Sequence, residues 1–473
     1  MESQKKSVIS VLKFAIPIFI GALIWFLPHP AMVNIKGWHM LALFVAMIVA
    51  LIAKPLPNGE IAILGITLTI LTKTVPIKNA LMGFGDKSVW LIVMAFFISR
   101  GFMKTGLGSR IAYIFIKLFG KKTLGLGYSL VACDLVLAPA TPSNTARAGG
   151  VIYPVLRSIS ETFGSKPSDH TERKLGSYLT YTEFQGDLIT SAMFLTAMSG
   201  NPLAVSIAAS LGIQITWMKW FIAAIVPGII SLIIIPLLIY WIYPPEIKDI
   251  PNAVKMADNK LKEIGPLTNS EKRMLFCFLV VLTLWILGGN LGLDATMTAF
   301  IGVSLLLLLK VLDWSDIVTE KSAWNIFVWF AVLVGMANQL NALGVIKYYS
   351  TSIGSLVHGM NWPVVLLTIV VVYFFSTYMF ASGIAHISAL FAAFLSVAIA
   401  AGVPGILAAL VLCFFSNLNG SSTSYSMGPS PIFYGSGYVS QSRWWGMNLI
   451  VFAAYMVIWL GIGSMYWHII GLF

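Results

Sequence analysis

Charge is scarce in this sequence: Asp, Glu, Lys and Arg together make up 10% of its residues, and only 18 side chains are acidic. A soluble globule carries about a quarter charged residues, so that class is excluded. Cysteine is scarcer still. Cys133, Cys277 and Cys413 all lie inside apolar runs, which excludes a disulfide framework. The six histidines do not cluster, and no Cys or His group has the spacing of a metal site. A phosphate-binding loop is also missing, because the GKKT string at Gly120 lacks the upstream glycine spacing, so ATP does not supply the drive.

What is present is apolar surface. Hydrophobic residues make up 58% of the 473, with 15 tryptophans, and apolar runs recur from 8–27 to 444–470. The expected fold is an all-α polytopic membrane protein. The first run is long, lacks a small-residue cleavage site and precedes further spans, so it reads as a retained helix. Several runs fall short of the roughly 20 residues of a full span and are interrupted by Gly, Pro or Asn. Unpaired backbone at that depth is tolerated only around a protein-lined cavity, which points to re-entrant hairpins and broken helices. The net charge of +12 resolves into Lys5 and Lys6 and the clusters at 117–122, 157–174 and 248–273. The positive-inside tendency turns these toward the cytoplasm, N-terminus included, in a multi-pass cell-membrane protein. No solvated basic domain exists to bind nucleic acid.

One half of the chain echoes the other. GDKSVW at 85–90 matches TEKSAW at 319–324, and the strings TGLGSRI at Thr105 and NALGVI at Asn341 follow them. Next come SNTA at Ser143 and SGIA at Ser382, and then the breaks SGNPLA at Ser199 and GPSP at Gly428. Three pairs in order, offset by about 230 to 240 residues, are the mark of an internally duplicated secondary transporter with its substrate between the repeats. The expected organisation is scaffold helices in 1–110 and 274–358, transport regions with a hairpin and a broken helix in 111–243 and 359–473, and a cytoplasmic linker in 244–273. Asn419-Gly-Ser fits a glycosylation acceptor, but its Gly/Ser-rich setting reads better as helix interruption.

The stretch APATPSNTARAGG at 138–150 puts Pro, Ser, Asn, Thr and Arg between membrane-length runs. Pro-Ser-Asn-Thr is a helix-start signal that leaves free amides and a positive helix end, which receives an anion well. Arg147 follows Ser143 by four residues and His386 follows Ser382 by four, so each lies one turn into its half-helix on the face of its own tip. An intramembrane cation is a functional-site hypothesis. The expected role of both is to offset a dianion without bound sodium, which makes return without cargo costly and predicts obligate exchange. The competing structural readings are a pairing of Arg147 with a carbonyl or with Glu183 or Asp187, and a neutral packing role for His386.

These residues carry a resemblance. PSNTARAGG followed by Tyr153-Pro, AMFLTAMSGNPLA from Ala192, FASGIAHISALFAAFL from Phe380, GVPG at Gly402 and GPSPIFYGSGYV from Gly428 are similar to the divalent anion/sodium symporter family. Within it they resemble the 2-oxoglutarate/malate translocator branch, which includes plastid dicarboxylate exchangers. The resemblance implies about eleven spans plus two re-entrant hairpins, an inverted-repeat elevator-type transporter, a homodimer, and C4/C5 dicarboxylate substrates. It implies anion contacts at Ser143, Asn144 and Thr145, at Gly200, Asn201 and Pro202, at Ser382 and Gly383, and at Ser426, Pro429 and Ser430. The second tip reads Ser382-Gly383-Ile384 where the family pattern is Ser-Asn-Thr, a departure that argues against sodium coupling. A sodium-coupled symporter and a citrate or tartrate exchanger are the alternatives on this fold. An intramembrane serine hydrolase using His386 lacks an orienting carboxylate and a Gly-x-Ser-x-Gly elbow, and a continuous anion pore suits the duplication poorly. No enzyme activity, cofactor or metal is expected.

Overall fold

The computed structural model describes residues 2–345, 348 and 361–473, with side chains within those ranges from Val11 onward except at 289 and 290. The expected boundary at 358 and the side chains of Lys5 and Lys6 lie outside the described residues. Among those described, the backbone is helical wherever it is regular, apart from one isolated bridge between Lys122 and Asp249. Helices satisfy their own N–H and C=O groups, which hydrocarbon requires. Among the described residues nine helices are long and apolar enough to cross a membrane, and shorter apolar helices at Val11–Phe26, Asn58–Leu71 and Ala295–Leu308 accompany them. Large apolar side chains such as Phe19, Leu308 and Ile469 stand exposed around the outside, as lipid contact demands. The protein is an all-helical polytopic membrane protein.

The repeated hexapeptides have a common physical basis. Asp86 caps the helix Lys87–Thr105 by accepting from the Ser88 N–H at 2.8 Å, and Glu320 caps Lys321–Ala342 by accepting from the Ser322 N–H at 3.3 Å. Each cap neutralises a positive helix end. In both, the tryptophan indole then donates back to a carbonyl of the preceding turn, Trp90 to Phe84 and Trp324 to Ile317, each at 2.9 Å. The two helices pack against one another through reciprocal ring contacts, Trp90 on Phe327 and Trp324 on Phe97.

Each half then supplies a hairpin and a broken helix. The first hairpin rises through Thr123–Leu137, turns at Ala138–Ala140 and returns from Thr145. Its second arm runs as a π-helix over Thr145–Ile152 and becomes α-helical over Tyr153–Thr162. Pro154 lacks an N–H and would clash with the turn before it in a regular helix; the widened segment relieves that conflict. The second hairpin comprises Trp362–Ser376, a turn at Thr377–Met379 and Gly383–Ala400. The broken helices are Gly176–Met193 with Gly200–Ser210, and Gly405–Leu418 with Ser430–Gly435. Gly176–Met193 is buried at every residue, polar ones included, and forms the axis around which the first hairpin, Trp217–Ile242 and Gly405–Leu418 pack.

The connection between halves is an amphipathic helix, Pro251–Ile264, lying along Leu107–Phe119. Lys117 contacts Asp258 at 2.6 Å, and Lys117, with Lys262, holds the Asp258 carboxyl down from 3.8 to about 2. That exposed tie is present above the ordinary Asp range and is lost only as pH falls through about 2. Behind it, Arg110 reaches both oxygens of Glu271 at 2.6 and 3.0 Å and the Gly265 carbonyl at 2.8 Å. Glu271 also closes the capping box of Asn269–Leu287 with Thr268. Both charges are buried, so Arg110→Ala leaves a carboxylate stranded and should destabilise the fold by about 3–5 kcal/mol. Thermal unfolding in detergent checks this: the single variant should melt earlier, with part of the loss recovered in Arg110→Ala/Glu271→Gln. Equal melting of the single variant and the parent would contradict the assignment.

Candidate functional site

The first hairpin tip is organised by its own polar side chains. The Asn144 Oδ1 accepts from the Thr145 N–H at 2.9 Å and the Ser143 hydroxyl accepts from the Ala146 N–H at 3.1 Å. Both satisfy donors that a helix start leaves unpaired. The Asn144 Nδ2 is buried and has no partner in the protein. Thr145 packs onto Gly428 of the second broken helix so closely that a Cβ there would overlap its hydroxyl.

The second tip is built differently. Ser382 is extended, with φ −160° and ψ 127°, and its hydroxyl does not cap the helix that starts at Gly383. A Cβ at Gly383 would stand 2.5 Å from the Met427 sulfur and 3.5 Å from the Met198 methyl. One at Gly200 would meet Ile387 and the Met198 sulfur, each at 2.7 Å. Met427 thus links the Gly383 tip to Gly428 and through it to Thr145, while Met198 links Gly383 to Gly200. The N-terminal ends at Thr145, Gly383 and Gly200 come together in one zone, drawn from both repeats.

Arg147 does not face that zone, and the structure corrects the role expected for it. The side chain has no exposed surface, its Nε contacts Asp134 Oδ1 at 2.7 Å and its Nη2 contacts Asp187 Oδ1 at 2.7 Å. Nη1 donates to the carbonyls of Thr141 at 3.0 Å and Ala197 at 2.9 Å, and Nη2 donates also to the Ser191 and Thr190 hydroxyls. Thr190 in turn donates to Asp134. Every guanidinium N–H is spent and two carboxylates answer one positive charge, so none is left for an anion. Arg147 is a clip joining the hairpin arm, its tip, the central helix and the broken-helix loop.

His386 is corrected too. It is fully buried between the rings of Tyr373 and Phe380, with centroids at 4.4 and 5.1 Å. The Asn419 amide nitrogen stands 3.4 Å from Nδ1 and can only donate, so Nδ1 accepts and the single ring proton on Nε2 goes to the Ser376 hydroxyl at 2.8 Å. No acid pairs with this ring, and a neutral imidazole is what burial without a counter-charge favours.

The remaining expected residues divide. Asn201 donates through Nδ2 to the carbonyls of Ser191 and Phe194, at 2.9 and 3.1 Å, and accepts at Oδ1 from Asn417 at 2.7 Å. It braces the two broken helices against each other. Ser426 accepts from the Thr423 hydroxyl at 2.6 Å inside a turn, and its own N–H returns to Thr423 at 2.8 Å. Pro202 is the third residue of Gly200–Ser210 and Pro429 the cap before Ser430–Gly435, positions where a helix start needs no N–H. Ser430 Oγ is buried without a protein partner.

Sequence reasoning missed Asn417, Asn419, Ser421 and Thr377. All four are buried, and each keeps a polar atom that no protein group satisfies: Asn417 Oδ1, Asn419 Oδ1, Ser421 Oγ and Thr377 Oγ1. Buried polar atoms are nearly always paired, so a cluster of unpaired ones beside the tips marks where a polar ligand belongs. The signal was the density of Asn and Ser in 416–426, read only as a helix interruption. Among the described residues no group of three or more His, Cys, Asp or Glu is placed to hold a metal ion.

Comparison with known proteins adds a family. The profile described as the sodium:sulfate symporter transmembrane region matches residues 9–473. A Bacillus subtilis (strain 168) protein provisionally named a malate transporter is 53% identical over 472 residues, covering 100% of this chain and 99% of its own. Dicarboxylate transporter 1, chloroplastic, of Spinacia oleracea is 47% identical over 458 residues, 96% of this chain and 80% of that protein. The L-tartrate/succinate antiporter of Escherichia coli (strain K12) is 35% identical over 466 residues, 94% and 96% of the two chains. Among solved structures, the Alcanivorax borkumensis YdaH transporter aligns over 98% of both chains with a TM-score of 0.53 at 12% identity, a likeness of fold alone.

The clip reading of Arg147 differs measurably from an anion-ligand reading. Arg147→Met strands Asp134 and Asp187 and should cost about 3–5 kcal/mol of stability. Stability should return in part when Asp134→Asn and Asp187→Asn are added, monitored by thermal unfolding in detergent. A stable Arg147→Met protein with only a raised KM would restore Arg147 to the anion site.

Proposed function

The chain belongs to the sodium:sulfate symporter family, and from that membership we propose that it is a sodium-independent obligate exchanger of C4 and C5 dicarboxylates such as 2-oxoglutarate, malate, fumarate and succinate. It is a transporter and not an enzyme. The observation that carries the reading is the zone between the tips, where helix N-termini from both repeats meet buried polar atoms that the protein leaves unpaired. Its donors suit two carboxylates: the helix ends, the Asn144 amide nitrogen and the Thr377, Ser421 and Ser430 hydroxyls can give hydrogen bonds to anionic oxygens, while the amide oxygens of Asn417 and Asn419 only accept. The names of the relatives support the same substrate class.

The charge logic differs from the one the sequence implied. With Arg147 neutralised and His386 neutral, the dianion is held by partial charges and hydrogen-bond donors. Closing the site around nothing leaves donors such as Asn144 Nδ2 desolvated and unpaired, at about 1–3 kcal/mol each. Several such groups make the empty return rare, so exchange is favoured over net uptake. The second tip supports independence from sodium: Gly383 and Ile384 offer no side-chain oxygen to a hard cation, which needs several.

The proposal extends to the movement. The interlocked helices Lys87–Thr105 and Lys321–Ala342 suit a fixed scaffold within 1–110 and 274–358 that pairs with a second copy as a homodimer; the hairpins and broken helices of 111–243 and 359–473 suit a body that slides as an elevator, with 244–273 as the cytoplasmic linker and the N-terminus inside.

Counterflow in proteoliposomes tests it. Labelled 2-oxoglutarate should enter only vesicles holding malate, with or without sodium. Uptake into anion-free vesicles driven by a sodium gradient would establish the symporter instead. Asn144→Ala should raise KM by roughly tenfold, the worth of a hydrogen bond to a charged group, alongside the loss of about 1 kcal/mol of stability that removing its cap on Thr145 brings. An unchanged KM would remove Asn144 from the site.

A further inference from the structure

We propose that Glu183 binds a proton in the loaded transporter and that exchange requires this proton. The inference rests on the exchange reading above. Glu183 lies in the middle of Gly176–Met193 with no exposed surface, and neither of its carboxylate oxygens has a hydrogen-bond partner. It precedes Asp187 by four residues, so the two share one face of the helix. Thr180, three residues earlier on that face, is fully buried and also has an unpartnered hydroxyl.

The charges facing Glu183 leave it uncompensated. Asp134 and Cys133 approach from Thr123–Leu137, Asp187 from its own helix, and Arg147 from the π-helical segment. Arg147 gives its N–H groups to Asp134 and Asp187 and none to Glu183. Among the described residues, the other elements packed on Gly176–Met193 bring no cation that pairs with Glu183: Glu172–Lys174 carries Arg173, which is engaged by the Pro244 carbonyl and the Tyr243 ring, and Lys174 at the N-terminal end of the helix, about two turns away. Trp217–Ile242 carries Lys219 in its first turn and Tyr240, Gly405–Leu418 carries Cys413, and Tyr455 donates to Gln185. Arg157 and Glu161 of Tyr153–Thr162 pair with each other at the exposed surface. Three carboxylates against one guanidinium in a dry interior is an arrangement that a proton relieves. Protonation converts the Glu183 carboxylate to a neutral acid and removes the uncompensated charge from the dry interior.

The link to transport runs through Arg147. Its guanidinium holds the tip carbonyl of Thr141 and the loop carbonyl of Ala197, while its carboxylate partner Asp187 stands one turn from Glu183. An ionised Glu183 adds negative charge beneath a zone that receives a dianion and opposes loading; the protonated form does not.

The test is exchange of labelled 2-oxoglutarate against internal malate in proteoliposomes, at equal pH on both sides from about pH 6 to 8.5, where this substrate stays fully ionised. Wild-type exchange should fall as pH rises, approaching tenfold per unit beyond the titration. Glu183→Gln should exchange at the wild-type acid-side rate with a flat profile. Identical pH profiles for the two proteins, or a folded but inactive Glu183→Gln, would overturn the proposal, as would sodium restoring the alkaline wild-type rate. If Glu183→Gln does not fold, infrared difference spectra of the wild type decide: a protonated-carboxyl band must grow on acidification over the same range, and its absence overturns the assignment. Wild-type vesicles with no exchange at any pH defeat the exchange reading, whereas the infrared band still reports on Glu183.

Discussion

The buried guanidinium of Arg147 is the contact on which the rest of the first half depends. Two carboxylates, two hydroxyls and three backbone carbonyls converge on it, around a side chain with no exposed surface. Such a cluster is tolerated only when it is almost completely satisfied, because each stranded charge costs several kcal/mol. It therefore fixes the first hairpin to the central helix and to the loop after it as one body. The tip is thereby preorganised and does not have to assemble around a ligand.

The second half solves the same problem without ionic contacts. His386 occupies the position that repeats Arg147, yet it is held by a serine, an asparagine and two aromatic rings. Neutral hydrogen bonds and ring packing there do what the ion pairs do in the first half. The two are then locked together at the breaks of their helices by Asn201 and Asn417, and by Met198 and Met427 packed under Gly383. Duplication conserved the path of the backbone and not the chemistry of each position.

Much of the architecture was legible because it follows from local rules. The hexapeptide repeat marks two capped helices with the same tryptophan return contact. Hairpin starts expected at Ser143 and Ser382 appear as helices beginning at Thr145 and Gly383, and the second segments of the broken helices start within the expected strings, at Gly200 and Ser430, with the breaks themselves just before. Side-chain roles were less legible. The i, i+4 spacing placed Arg147 and His386 beneath their tips, but spacing along one helix says nothing of what a neighbouring helix presents. Asp134 lies across the hairpin, and Asp187 comes from another helix altogether. Asn417 and Asn419 were hidden for the same reason: a polar run in an apolar helix looks alike whether it breaks the helix or lines a site.

By itself, the sequence determined the solvent, the helical class, the duplication and the places where helices must stop, since hydropathy, proline, glycine and capping residues act within a turn or two of chain. Only the tertiary structure decided which polar groups are spent and which are free. That choice turns on partners far apart in sequence, brought to within 3 Å of one another by packing, where desolvation makes each pairing decisive.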